Sequence, residues 1–466
     1  MQFTDFTFIF LFIPAFFFFL YLIPSRLRAA WILFGSVFFY FWAEPIFLWV
    51  LLSFVVINYF FAWLVDRFRE TPWLSKVLLW GIVAIDLGLL VLFRDANILQ
   101  RILNLPAVLV KSFPEIFSPI GISFITFTFL SYQLDNAKGA LLKRGNLFDF
   151  STYIFFFPKV QQGPIQIFQE FQSNIIEPKS SLAEISRGIA RFILGLSKKV
   201  LIADRLAPIA DSVFSADLLK VGFGLSWYGL IAYGLQIYFD FSGYTDMAIG
   251  LANVVGFQLP ENFNSPYAST SVADFWRRWH MSLTSWFRKY VFFPLEFSLK
   301  RLGNFRQPLN LLIVFLLTGV WHGLSPNFIV WGGYFGLILA LESIGLGRIL
   351  KRLPGFFQHA YALIIVFIGW VFFRLRSPAN WPLFFRALSG MNGLSSEINA
   401  RTLNILGYLP VLLLAVLLCI PYVEKTFRSK PERFNFIYIC VLVGLFILSI
   451  AFLSEGGYQS FIYRQF

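Results

Sequence analysis

The chain has 466 residues, of which 58% are hydrophobic and 14% are charged, whereas a soluble globular domain carries roughly 25% charged residues. Phe alone contributes 61 residues and the mean hydropathy is +0.70, which excludes a soluble enzyme and indicates a polytopic membrane protein. The formal net charge of +13 comes from Lys and Arg residues in short loops between apolar runs, a pattern typical of the positive-inside rule, so no nucleic-acid partner is expected.

The apolar runs predict an all-α bundle that forms one integral-membrane domain over residues 1–466. Runs such as 6–22 and 46–65 are apolar on every side, which favours helices over the alternating strands of a β-barrel. The predicted spans are 7–24, 29–43, 46–65, 77–93, 117–134, 223–255 with a break at Gly243, 309–321, 326–345, 360–375, 403–421 and 434–453.

Basic residues fall in alternate loops and therefore predict the topology. The loops that contain Arg67, Lys143 and Lys198 are expected to face the cytoplasm, and Met1 the opposite side of a bacterial inner membrane. The first apolar run lacks a basic start and a cleavage site, so it is interpreted as a retained helix.

Three segments are predicted not to span. Residues 98–113 are broken at Pro106 and suit an interfacial position. Residues 155–158 with 163–164 are apolar but too short to cross, which indicates a re-entrant element. Residues 186–205 mix basic and apolar side chains, as in an amphipathic helix on the anionic lipids of the cytoplasmic leaflet.

His322 is the candidate catalytic base. Counted from Pro308 at 1.5 Å per residue, it lies about 20 Å into a hydrocarbon core about 30 Å thick. Gly323 and Pro326 break the helix just beyond it and would open a polar cavity. An ionisable residue at that depth indicates function, and histidine is a common general base near neutral pH. The structural alternative is a neutral imidazole that hydrogen-bonds between helices.

The segment 271–294 is predicted to form an interfacial helix with an aromatic underside and a basic top. Its apolar residues recur at helical spacing at Phe275, Trp279, Leu283, Trp286 and Tyr290. The basic residues are Arg277, Arg278, Arg288 and Lys289. They either anchor the helix to anionic headgroups or, beside a cytoplasmic entrance, attract an anionic donor such as the phosphates of coenzyme A.

Asp240 and Asp246 lie within an apolar helix, where burial of a carboxylate without a partner would be expensive. They belong either to a structural hydrogen-bond network or to the lining of a reaction chamber. The polar loop that follows has amides that could polarise a carbonyl, and it contains Asn262, Asn264, Ser265 and Tyr267. The sequence has no phosphate-binding loop, metal-ligand cluster or Gly-x-Ser-x-Gly elbow, so a bound metal is not expected.

Together these residues resemble the membrane-bound O-acyltransferase superfamily, in its bacterial alginate O-acetylation branch. The resembling segments are 119–124, 156–158, 163–165, 196–200, 203–207, 238–250, 261–267, 274–280, 321–323 and 370–374. Where relatives often read Trp-Gly-x-x-His-Gly, this chain has Phe335 in place of the histidine, which therefore cannot be essential here. Where relatives commonly read Arg-Asp-Tyr, this chain has Lys289 in place of the aspartate.

The resemblance implies a bundle of about eleven transmembrane helices around a central tunnel, with re-entrant and interfacial elements. It implies that His322 matches the catalytic histidine of the family and that His280 matches its second important histidine. Trp321, the two aspartates and the polar loop residues are expected to line the tunnel. No cofactor is expected, because acetyl-CoA or another acyl thioester enters from the cytoplasm as the donor substrate.

We therefore expect an enzyme that moves acetyl from cytoplasmic acetyl-CoA across the membrane for O-acetylation of an extracytoplasmic polysaccharide. A secreted acyltransferase or an exopolysaccharide-assembly protein is the expected partner. D-alanyl transfer from a carrier-protein thioester to teichoic acid is the alternative within the same fold, although Pro294-Leu295 and the Arg374 motif favour acetylation. A transporter or flippase for an anionic lipid-linked sugar would also explain deep polar residues and basic loops.

Overall fold

The structure, a computed structural model, consists of helices joined by loops throughout its described part. The described residues are 1–94, 119–141, 144–176, 181–394, 405–428, 436–456 and 461. All regular elements within these ranges are helical, as the sequence predicted. The predicted interfacial segment 98–113 lies outside the described residues.

The chain divides into two compact units. The first comprises Met1–Phe192 and Tyr244–Pro260. Its helices are Phe8–Phe12, Ile13–Leu22, Ser25–Ala43, Pro45–Arg67, Pro72–Arg94, Ile122–Ala137, Leu147–Phe155, Phe157–Val160 and Phe168–Ile176. Two further helices, Leu182–Ser197 and Phe223–Val255, contribute residues to both units. The expectation of a single domain stays a prediction.

The second unit comprises Ile193–Gly243 and Glu261–Phe466. Its helices and helical turns are Lys198–Ala203, Asp204–Phe214, Pro266–Ala268, Val272–Arg278, Met281–Phe287, Arg288–Phe292, Phe293–Ser298, Lys300–Phe305, Arg306–His322, Pro326–Leu341, Glu342–Leu346, Gly347–Leu350, Gly355–Arg374, Asn380–Leu388, Ile405–Leu418, Pro421–Arg428 and Phe436–Ser454.

Five helices in the described residues are long and apolar enough to cross a membrane. They are Pro45–Arg67, Pro72–Arg94, Pro326–Leu350, Gly355–Arg374 and Phe436–Ser454. Two shorter apolar helices cover Phe8–Leu22 and Gly407–Leu418. Every predicted span overlaps a helix, while the total of about eleven spans and the central tunnel stay predictions.

Buried polar side chains join three helices of the first unit. Asn58 donates a hydrogen bond to the Asp86 carboxylate at 2.8 Å, and Gln133 donates to the Asn58 side-chain oxygen at 2.9 Å. All three side chains are fully buried. In a membrane the hydrophobic effect does not drive helices together, because lipid tails are themselves apolar. Hydrogen bonds between buried polar side chains then stabilise helix association.

The predicted break at Gly243 is wrong, because Phe223–Val255 is one continuous helix of 33 residues. A Cβ atom at Gly243 would lie 2.7 Å from the carbonyl oxygen of Gly195, within the second unit. Within the first unit, a Cβ atom at Gly250 would lie 2.6 Å from the carbonyl oxygen of Gly188. These glycines allow close contact between helix backbones and do not interrupt the helix.

The predicted amphipathic segment 186–205 does not present all its basic residues to lipid headgroups. Arg191 pairs with Asp246 at 2.8 Å, and Lys199, which is 1% exposed, pairs with Asp204 and Asp240. The expectation of a headgroup-facing surface is therefore wrong for Lys199. Its charge lies inside the protein, where the ion pairs replace the lost hydration.

Candidate active site

His322 is the last residue of the helix Arg306–His322 and is 8% exposed. Its helix packs tightly against Pro326–Leu341 through glycines. A Cβ atom at Gly319 would lie 2.4 Å from the Phe328 carbonyl oxygen, and one at Gly332 would lie 2.4 Å from the Phe315 carbonyl oxygen. This close contact places the second helix directly beside the histidine.

Aromatic rings surround the His322 imidazole. The ring centroids of Trp321, Trp331, Phe373 and Phe328 lie 4.6, 5.0, 5.0 and 5.8 Å away, and those of Trp331 and Phe373 approach edge-on. The indole N–H of Trp331 is buried and has no hydrogen-bond partner among the described residues. It is therefore a donor available to a ligand beside His322.

His280 lies at a break in the predicted interfacial helix. The structure has two short helices, Val272–Arg278 and Met281–Phe287, so a continuous helix over 271–294 is wrong. His280 adopts a left-handed conformation with φ of 46°. The aromatic underside is nevertheless buried as the periodicity indicated, at Phe275, Trp279, Leu283, Trp286 and Tyr290.

The polar loop 261–267 supports this break. The side-chain oxygen of Asn262 lies 3.2 Å from His280 Nδ1 and accepts hydrogen bonds from the Ser282 backbone N–H and hydroxyl at 3.1 and 2.9 Å. The Asn264 N–H donates to the Arg278 carbonyl at 3.0 Å. The loop thus supplies hydrogen-bond partners for backbone groups that would have bonded within an uninterrupted helix.

Burial determines the charge state of His280, which lies outside the candidate spans. It lowers the pKa of the imidazole to about 3, because the protonated form loses its hydration. His280 is therefore neutral near pH 7. The Phe241 ring packs edge-on against it at 4.7 Å.

The two histidines share one aromatic neighbour. The Trp321 ring lies 4.6 Å from that of His322 and 6.3 Å from that of His280. The second unit therefore brings the adjacent residues Trp321 and His322 together with His280 and Asn262, which lie about 40 to 60 residues earlier in the sequence.

The two predicted carboxylates both have cationic partners. Asp240 lies 2.7 Å from Lys199 Nζ in the second unit, and Asp246 accepts hydrogen bonds from Arg191 at 2.8 and 3.1 Å in the first. The sequence left open whether these aspartates belong to a structural network or to a chamber. The ion pairs favour the structural interpretation.

Ser265 contacts a carboxylate, that of Glu424, which the sequence motifs did not include. The Ser265 hydroxyl donates to Glu424, and the Tyr238 hydroxyl donates to the same carboxylate at 3.3 Å. Tyr267 donates to the Gly234 carbonyl and accepts from Trp370 Nε1 at 3.2 Å. The signal for Glu424 in the sequence was an acidic residue three positions after the apolar run 403–421.

The basic residues of the segment 277–289 differ in their surroundings. Arg277 and Arg278 both pair with Asp274, at 3.3 and 3.0 Å. Arg288 is exposed and pairs with no acidic side chain in the described part of the chain, and the Lys289 ammonium lies 5.0 Å from the Tyr290 ring centroid. Arg288 is consequently the arginine of this set most available to an anion.

Comparison with known proteins relates this chain to a family. The family described as MBOAT, membrane-bound O-acyltransferase family, matches residues 37–378. The chain is 36% identical to the probable alginate O-acetylase AlgI of Azotobacter vinelandii, over 92% of this chain and 86% of that protein.

Two other relatives are named for different activities. The peptidoglycan O-acetyltransferase of Helicobacter pylori is 30% identical over 78% of this chain and 74% of its own length. The teichoic acid D-alanyltransferase of Bacillus subtilis is 33% identical, but over 48% of this chain and 59% of its own length. The matches to acetyl-transferring relatives thus cover more of the chain.

The ion pairs predict that Asp240→Asn destabilises the protein. Removing one partner of a buried charge cluster costs up to about 3–5 kcal/mol, so thermal unfolding in detergent should occur at a lower temperature. Asp217→Asn is the control, because the Asp217 side chain is 54% exposed and lies 3.9 Å from Lys220. Normal stability with loss of catalysis in Asp240→Asn would instead assign Asp240 to the chamber lining.

Proposed function

The chain belongs to the membrane-bound O-acyltransferase family, and on that premise we propose that it transfers acetyl from cytoplasmic acetyl-CoA for O-acetylation of an extracytoplasmic polysaccharide. The observation that carries this proposal is the buried His322, enclosed by aromatic rings and joined to His280 through Trp321. Membership in an acyltransferase family also favours an enzyme over the transporter or flippase that the sequence left open.

In the proposed reaction, His322 is the general base. Its imidazole removes the proton of the acceptor hydroxyl while the hydroxyl oxygen attacks the thioester carbonyl. The bond between carbonyl carbon and sulfur then breaks, and the coenzyme A thiolate leaves and takes up a proton from the imidazolium. The products are the O-acetyl ester and coenzyme A, and His322 returns to its neutral form.

The negative charge that develops on the carbonyl oxygen needs a hydrogen-bond donor. We assign this role to Trp331, whose buried indole N–H has no partner among the described residues and whose ring packs against His322. A donor fixed in place before the reaction stabilises the oxyanion without reorganisation. His280, neutral and held by Asn262, would position Trp321 and shape the tunnel.

The remaining assignments concern partners and location. We place the protein in a bacterial inner membrane, in contact with anionic lipids, with Arg277, Arg278, Arg288 and Lys289 near the donor entrance. The acceptor polysaccharide would be reached directly or through a secreted acyltransferase or exopolysaccharide-assembly protein. Identification of the proteins that co-purify with the chain tests this assignment.

D-alanyl transfer to teichoic acid is the second candidate, because the Bacillus subtilis relative matches half of the chain. The two activities differ in their donors. Purified protein that consumes acetyl-CoA but not a D-alanyl carrier-protein thioester would support acetylation. The opposite preference would support D-alanyl transfer.

His322→Gln should abolish transfer, because glutamine can hydrogen-bond but cannot act as a base at neutral pH. A general base contributes about 10²- to 10⁴-fold to the rate. The kcat should therefore fall by about 10²-fold or more, while the affinity for the donor stays unchanged. Incorporation of radiolabelled acetyl into precipitable polysaccharide measures the effect. His359→Gln is the control, since His359 contacts the Ser269 carbonyl at 3.0 Å. More than a tenth of normal transfer in folded His322→Gln would contradict the mechanism.

Trp331→Phe should lower kcat by about 10²-fold, as expected for loss of one oxyanion donor. Trp276→Phe is the control. It also removes a buried indole N–H, from a ring whose centroid lies 5.5 Å from that of Trp331. It should retain most activity. If both variants lose the same activity, the effect arises from packing and Trp331 is not the donor.

Arg288→Gln should raise the KM for acetyl-CoA more than it lowers kcat, because attraction of the phosphates acts on binding. Higher salt should weaken donor binding in the same way. Arg352→Gln, at an exposed arginine outside the segment 277–289, makes the same change in net charge. An unchanged KM in Arg288→Gln would contradict donor binding by Arg288 and would favour the alternative that the segment anchors the protein to anionic headgroups.

A further inference from the structure

Glu424 is a buried carboxylate that comes from outside the segment matched by the family. The match ends at residue 378, whereas Glu424 lies in the helix Pro421–Arg428 and is 6% exposed. It accepts hydrogen bonds from the hydroxyls of Ser265 and Tyr238. Burial of a carboxylate is costly unless such bonds compensate for its lost hydration, so this arrangement requires an explanation.

The first contact holds a strained residue. Among the described residues, only Ser265 and His280 are non-glycine residues with positive φ, 45° and 46°. Such a conformation costs about 1–3 kcal/mol and persists only where surrounding contacts fix it. The bond from Ser265 to Glu424 is one contact that fixes the loop in this form.

The strained loop leads directly to His280. Ser265 and Asn262 lie in the same loop, and Asn262 contacts His280 Nδ1 while it accepts both hydrogen bonds from Ser282. The backbone carbonyl of Asn262 also accepts from the Met281 N–H at 2.9 Å. Displacement of the loop would therefore displace the His280 ring.

The second contact of Glu424, with Tyr238, affects the same helix break through the packing of the Tyr238 ring. The Tyr238 hydroxyl binds Glu424, and the Tyr238 ring lies 5.7 Å from that of Phe263 and 6.1 Å from that of Trp279. Phe263 belongs to the loop and Trp279 precedes His280. Glu424 thus restrains both sides of the helix break.

We propose that Glu424 is a positioning residue that holds the loop 261–267 and, through Asn262, orients His280 beside Trp321. The proposal rests on the function proposed above, because it assigns His280 to the reaction site. Glu424 itself does not touch the substrates. Its carboxylate acts by accepting two hydroxyl hydrogen bonds at once, which a neutral amide of the same size cannot do with its single oxygen in the same geometry.

Glu424→Gln tests the proposal with little change in volume. It should lower kcat for acetyl transfer by about tenfold to a hundredfold, the effect of a small misplacement of reacting groups, with the KM for acetyl-CoA changed by less than about twofold. Glu455→Gln is the matched control, because Glu455 is 63% exposed at its side chain and lies 3.5 Å from Arg205. It should leave kcat unchanged.

Ser265→Ala tests the proposed route. If Glu424 acts through Ser265, the double variant Ser265→Ala/Glu424→Gln should be no slower than the slower single variant, because both remove the same contact. Multiplying effects would mean that the two residues act independently, and this would overturn the route.

Hydrogen exchange gives a readout that does not need activity. Glu424→Gln should speed exchange at the amides of Asn264, Met281 and Ser282, which bind within the loop and the break, while Glu455→Gln should not. Unchanged exchange and unchanged kcat in Glu424→Gln would overturn the proposal, as would faster exchange with unchanged kcat. A wild-type protein that consumes no acyl thioester would contradict the proposed function instead.

Discussion

The buried ammonium of Lys199, between the carboxylates of Asp204 and Asp240, is the interaction on which the second unit depends. Its Nζ lies 2.6 and 2.7 Å from their oxygens, and the side chain is 1% exposed. A charge is tolerated at such burial only with counter-charges in contact. The cluster connects the turn Lys198–Ala203, the helix Asp204–Phe214 and the helix Phe223–Val255. Just before the turn, the backbone at Gly195 packs closely against Gly243 of the long helix.

This ion pair also orients the site. Successive residues of an α-helix project about 100° apart, so the direction of Asp240 toward Lys199 fixes the rotation of its helix. With that rotation, Tyr238 packs against Trp279 and Phe241 packs against His280. A charge cluster on one face of the helix therefore orients Phe241 toward His280 and Tyr238 toward Trp279 on another face.

Sequence periodicity predicted which side chains are buried. The helix break and the contacts of single polar residues depend on tertiary structure and could not be predicted in this way. The burial of Phe275, Trp279 and Leu283 followed from their spacing, whereas the break at His280 depends on Asn262, 18 residues away. Gly243 was predicted to break a helix because the sequence cannot distinguish a flexible glycine from one that admits a neighbouring backbone. Glu424 lies beyond the recognised motifs, and its partners become evident only in three dimensions.

The position of His322 reconciles two requirements of the proposed base. Aromatic rings on several sides limit the access of water to the imidazole, so the proposed proton transfer would take place in a site of low polarity. The histidine also ends its helix, where the negative end of the helix dipole stabilises a positive charge once it forms. Because the dipole acts on the charged form alone, its contribution appears only as the proton is transferred. In the proposed mechanism the helix end would thus lower the energy of the transition state more than that of the resting site, which is the condition for catalysis.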